Sequence, residues 1–196
     1  MRRSIICCLA WFSLASAVCA QRGAYTAPTD LDQMVGQAET ILRGHVLSAK
    51  VEAHPQFSDL QTVVVTLKVD RVLKGAASST YTFRQYIWDF RDSSDAAGYR
   101  KTEEVLLFLN PNSPYGLTSP VGMEQGRFRI LRDAAGNASA LNGHGNAGLF
   151  NGVTAKTTAR NLALSTEARG MLGRTTGRVP LVALEETIRA LAGAQK

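Results

Sequence analysis

The sequence predicts a mainly β domain, a small barrel with helical additions. Three observations carry this. Short segments alternate apolar and polar residues, turn-forming residues separate them, and helical periodicity is confined to one stretch near the start and one at the end. The chain has 196 residues and a net charge of +6. Its first 20 residues read as a secretory signal peptide: "MRR", a short apolar run, and small residues at Val18 and Ala20 before the predicted cleavage. Cys19 lacks the flanking residues of a lipoprotein anchor, and "RRSII" is an incomplete twin-arginine motif.

The elements follow in order. Leu31, Met34, Val35 and Ala38 fall on one helical face, with Thr29 and Asp32 spaced as a capping box. "ETILRGHVLSAKVEAH" alternates as a strand, placing Leu42, Gly44 and Val46 inward and Arg43 and His45 outward. An inward glycine predicts a bend or a close approach of another backbone at Gly44. "QTVVVTLKV" is the second strand, joined to the first through the longer loop "HPQFSDL". Its alternation slips at Asp70 and Arg71, which predicts a β-bulge with both side chains facing solvent. Gly75 then ends the strand at a backbone angle other residues resist.

"STYTFRQYIW" and "EEVLLFLNP" are the third and fourth strands; Val105 to Leu109 are apolar on both faces, as in a strand covered on two sides. "YGLTSP" and "GRFRILRD" offer a fifth and a sixth. Beyond "DAAGNASALNGHGNAGLFNG" the pattern is loop-like, so residues 21–150 form the barrel domain. Residues 151–179 read as a flexible basic linker with a helical turn or two in "STEARGML", and residues 180–193 as a C-terminal helix docked on the barrel. In that helix Leu181, Leu184, Ile188 and Leu191 make one stripe and Glu185 precedes Arg189 at i, i+4.

Composition excludes several function classes. All three cysteines, Cys7, Cys8 and Cys19, lie in the signal segment. The chain after position 20 therefore has no disulfide, thiol nucleophile or thiolate zinc site. That part carries 20 basic and 16 acidic residues, and the net +4 is concentrated between Lys156 and Arg178. A neutral body with one basic tract does not read as a nucleic-acid binder. No metalloprotease, nucleophile-elbow, phosphate-loop or dinucleotide motif occurs. His45, His54 and His144 show no ligand spacing among themselves. Asp89, Asp92 and Asp95 are too widely spaced for a calcium loop, and Glu103 and Glu104 point to opposite faces of a strand. No metal or cofactor is predicted. "NAS" at Asn137 matches a glycosylation acceptor triplet. One candidate surface remains: Arg84, Tyr86 and Trp88 alternate on one face of the third strand. If that face is open it is an aromatic and cationic platform; the expectation is that a helix covers it in whole or part.

The set Ile41, Leu42, Gly44 and Val46; Val69, Val72, Leu73, Lys74 and Gly75; Leu106 to Leu109; and Gly126 with Phe128 resembles a family of uncharacterised secreted bacterial proteins across about residues 30–132. The resemblance implies an oligonucleotide/oligosaccharide-binding (OB)-like antiparallel barrel of five to six strands, akin to netrin and tissue metalloproteinase-inhibitor modules. Those inhibitors chelate protease zinc through an N-terminal cysteine, which a chain starting near Gln21 lacks. The expectation is a secreted or periplasmic, non-enzymatic module without a transmembrane segment that binds a protein, peptide or glycan. The alternatives are a cysteine-independent inhibitor or companion of a secreted protease, and a hydrolase with a dispersed site.

Overall fold

A computed structural model describes residues 27–88 and 90–194. The predicted signal peptide lies outside the described residues. The described elements are α1 (Leu31–Gln37), β1 (Thr40–His54), β2 (Phe57–Lys74), β3 (Thr80–Tyr86), α2 (Phe90–Asp95), β4 (Glu104–Leu109), β5 (Arg127–Arg132), β6 (Ala138–Asn142), α3 (Val153–Ala159), α4 (Thr166–Met171), β7 (Val179–Pro180) and α5 (Leu181–Gly193). All strand pairs are antiparallel, in one sheet of order β3-β2-β1-β4-β5-β6-β7. The fold is mainly β, as predicted, but the seven-stranded sheet does not close into a barrel. The "YGLTSP" segment is not a full strand. It makes single bridges, Leu117 to Arg84 of β3 and Pro120 to Leu109 of β4.

Strand alternation divides the core in two. Ile41, Leu106, Phe108 and Phe128 face outward under α1, α3, α4 and α5. Leu42, Val46, Val63, Val65, Leu67, Phe83, Val105 and Leu107 face the opposite way, where Ala97 and Tyr99 cover them. β4 is buried at every position, in line with its continuous apolar run.

Three expectations are corrected. The joint between β1 and β2 is tight, because His54 already pairs with Phe57, and not a longer loop. "ASALN", read as loop, forms β6, where Ala140 is buried between β5 and β7. Residues 151–179 are not a flexible linker. They contain α3 and α4, and the tract sinks Val153, Leu164, Ala168, Met171 and Leu172 into the outer core. Large apolars are sparse in this tract, so the pattern is weak in one dimension although nearly every one present is buried. The α5 stripe Leu181, Leu184, Ile188 and Leu191 docks on the same core. At α1 the cap lies one residue later than the sequence pattern: Asp30 and Gln33 form the capping box. The Thr29 backbone N–H instead donates to the side chain of Gln125. Among the described residues no helix is long and apolar enough to cross a membrane.

Gly44 and Gly75 are explained by space and backbone angle. A Cβ on Gly44 would lie 2.2 Å from the carbonyl oxygen of Lys68. Gly75 has φ +78°, and a Cβ there would lie 2.7 Å from the Glu39 carbonyl. Beside it, the Lys74 ammonium donates to the Val35 carbonyl at the C-terminal end of α1, 2.6 Å away. Burial lowers the pKa of this lysine.

Gly44→Ala is expected to destabilise the protein by about 1–3 kcal/mol, since backbone must shift to admit one methyl; chemical denaturation measures it. Met171→Ala, inside the tract read as a linker, is expected to cost about 2–5 kcal/mol as a core truncation. A change close to zero in the same assay would mean that α4 does not contribute to the core.

Candidate functional site

Two surfaces bring chemistry-bearing side chains together. The first is built by the slip at Asp70. Arg43 pairs with Arg71 and Gly44 with Val69, so Asp70 is an extra residue in β2. Three further irregularities fall at Leu47 of β1, at Leu73 of β2 and between Ala53 and His54 at the hairpin end. The bulge at Asp70 turns two successive side chains to the outer face. Asp70 is exposed and accepts from His45 Nδ1 at 2.7 Å. Arg71 is exposed along its length, and its guanidinium reaches Glu185 of α5 at 2.9 Å.

Glu185 is 4 % exposed and is the hub of this cluster. Arg43 Nε lies 2.8 Å from it and Arg189 Nη2 3.4 Å. Arg43 also donates to Glu104 at 2.6 Å, and Arg132 grips the same carboxylate with two nitrogens. The imidazole of His45 lies between Asp70 and Glu104, its Nε2 4.0 Å from Glu104 Oε2. One ligand atom from each of His45, Asp70 and Glu104 lies within 4.8 Å of the others. These residues come from β1, β2 and β4, up to 59 positions apart in sequence, which is why local spacing does not reveal them.

The second surface holds Arg84, Tyr86 and Trp88. Here the expectation of a covering helix is corrected: Tyr86 is 40 % and Trp88 50 % exposed. Helices α1, α3, α4 and α5 pack on the far part of the sheet, α2 lies against β2 and bonds the Trp88 backbone through Asp92, and β3 is an edge strand. The two rings lie 5.1 Å apart at 52°. Arg84 is held in place: its Nη1 donates to Thr62 Oγ1 at 2.5 Å and to the Ala53 carbonyl at 3.3 Å, and Nη2 lies 3.7 Å from Glu52. The same end of the sheet carries a second aromatic group. His54 stacks on Phe57, which meets Tyr115 edge-on, and both Phe57 and Tyr115 are exposed. His54 is itself buried and bonds the Tyr115 carbonyl at 2.8 Å.

Other singled-out residues have structural partners. Asp92 accepts from the Trp88 backbone and Asp95 from that of Gly98. Glu103 pairs with Arg129. The Gly-rich loop after β6 is organised by Asn142 and Asn146, each side chain accepting from the other's backbone N–H. Asn137 is bonded to Asp133 in the β5–β6 turn. In the inner core the buried Arg127 guanidinium sits 4.5 Å over the Tyr99 ring and donates to the Ala97 carbonyl. Burial pushes the Tyr99 phenol up to about 12, against the opposing pull of Arg127. The basic tract is partly neutralised within the fold: Lys156 pairs with Asp30 and Arg160 with Asp32. A small cleft of about 390 Å³ lies between α3 and α4, lined by Thr157, Asn161, Leu164 and Arg169 among others.

Comparison with protein-family models, with characterised proteins and with solved structures finds no match.

Glu185→Ala removes one of the two carboxylates that pair with the half-buried Arg43, leaving Glu104, and is expected to cost about 1.5–3 kcal/mol in equilibrium unfolding. A loss below about 1 kcal/mol would mean that the cluster is a solvated surface network. Burial alone would raise the Asp32 carboxyl, but Arg160 and Lys156 together hold it below its ordinary value of 3.8. Its folded-state pKa is thus depressed. The stability it adds is present above its unfolded pKa and is lost as pH falls through the folded one. The stability gap between wild type and Asp32→Asn should therefore narrow as the pH drops below about 4; denaturation curves from pH 7 to pH 3 measure it.

Proposed function

We propose that this chain is a secreted, non-enzymatic binding module that holds a peptide or a glycan on the aromatic edge formed by Arg84, Tyr86 and Trp88. The observation that carries this reading is the exposure of two large aromatic side chains, in contact with each other, beside a pinned arginine on an edge strand. Exposed aromatic rings offer flat apolar area to a sugar ring or an apolar side chain at low entropic cost. A guanidinium already fixed by Thr62 and Ala53 loses little further freedom when it meets a polar ligand group. An OB-like arrangement of the strands is part of this reading; single bridges from Leu117 to β3 and from Pro120 to β4 support it.

Trp11 and Trp88 are the two tryptophans, and Trp11 lies in the predicted signal peptide. The fluorescence of the secreted form therefore reports on Trp88. Titration with glycan and peptide libraries is expected to shift the Trp88 emission for at least one class. Trp88→Ala should weaken that binding at least tenfold, equivalent to about 1.4 kcal/mol, without changing the unfolding midpoint. Binding that survives in a Tyr86→Ala, Trp88→Ala double variant would place the site elsewhere.

A further inference from the structure

We propose that His45 and Glu104 form a binding site for a first-row divalent cation of the zinc class, with Asp70 orienting the imidazole from behind. A carboxylate can only accept, so the 2.7 Å contact assigns the proton of His45 to Nδ1, facing Asp70. Nε2 then turns its lone pair toward Glu104 Oε2 across 4.0 Å. A cation between the two would be shared by this nitrogen and this oxygen, the oxygen now accepting from Arg132. The distance is long for a hydrogen bond. A metal bonded to a nitrogen and an oxygen at 2.0–2.2 Å in tetrahedral geometry needs them about 3.4 Å apart. A closure of about half an ångström brings both atoms to that spacing.

The setting has the features of a protein metal site. Both ligands stand on directly paired positions of neighbouring strands, His45 of β1 opposite Glu104 of β4, so the sheet fixes their separation. Asp70 bonded to the remote ring nitrogen is the carboxylate–histidine–metal arrangement that sets the tautomer and raises ligand basicity. Glu104 is buried, whereas His45 is half open, which leaves room for water to complete the coordination. The groups facing the site are Arg43, Arg132 and, across from His45, Lys68. Arg43 leans on Glu104 Oε1 and on Glu185. Arg132 occupies Oε2, the ligand oxygen, and is the competitor that the cation displaces; its side chain is half exposed to solvent.

Isothermal titration of the purified chain with Zn²⁺ and with Co²⁺ tests this. A saturable component that His45→Ala abolishes is expected. Asp70→Asn should weaken it by about 10–100-fold, and Arg132→Ala should tighten it by removing the competing charge. Imidazole ¹⁵N spectra of the wild type need no variant: Zn²⁺ should move Nε2 of His45 and leave His54 and His144 in place. Any thiols of Cys7, Cys8 and Cys19 that remain bind independently of His45, so His45→Ala separates the two components. No saturable binding, binding unchanged in His45→Ala, or an unmoved His45 Nε2 would overturn the proposal.

Discussion

The long β1–β2 hairpin has to serve two cores at once, and most of the structure depends on how it does so. Its residues alternate between an outer core roofed by helices and an inner core on the opposite face of the sheet. Alternation at a period of two commits each side chain to one core, and a slip of one residue exchanges them. The hairpin keeps its commitments by inserting single residues at Leu47, Asp70 and Leu73. Each insertion adds local twist, and twist lets a flat ribbon wrap around the inner cluster. At Gly44 the two backbones approach so closely that only hydrogen fits on the Cα.

The charges on the outer face follow from the same device. A regular strand would present one side chain per two residues there. The bulge presents Asp70 and Arg71 together, giving His45 an orienting carboxylate and Glu185 an extra cation. Arg43 then lies between Glu104 of β4 and Glu185 of α5. Burying these ions carries a desolvation penalty that close pairing offsets only in part, so the cluster specifies where α5 docks more than it strengthens the fold. Apolar burial of the α5 stripe supplies the bulk of the stabilisation. The two candidate surfaces, ionic and aromatic, therefore sit apart: one lies where α5 meets the sheet, the other at the end of the edge strand β3, away from α1, α3, α4 and α5.

Local patterns in the sequence determine the mainly β class, the faces of β1, β2 and β4, the bulge position, the special glycines and the stripe of α5. Each is a short-range property: a period, a steric requirement or a break in alternation, legible wherever neighbouring residues alone dictate the outcome. Tertiary structure decided the rest. Whether Tyr86 and Trp88 were covered depended on where the helices dock, which no residue near them encodes. The tract from Lys156 to Arg178 looked like a solvated linker because its few apolar residues find their partners on α1, α5 and the sheet. Its first charges find Asp30 and Asp32, more than 120 positions away. His45, Asp70 and Glu104 meet only when three strands align, since strand pairing sets distances between residues that the linear order keeps far apart.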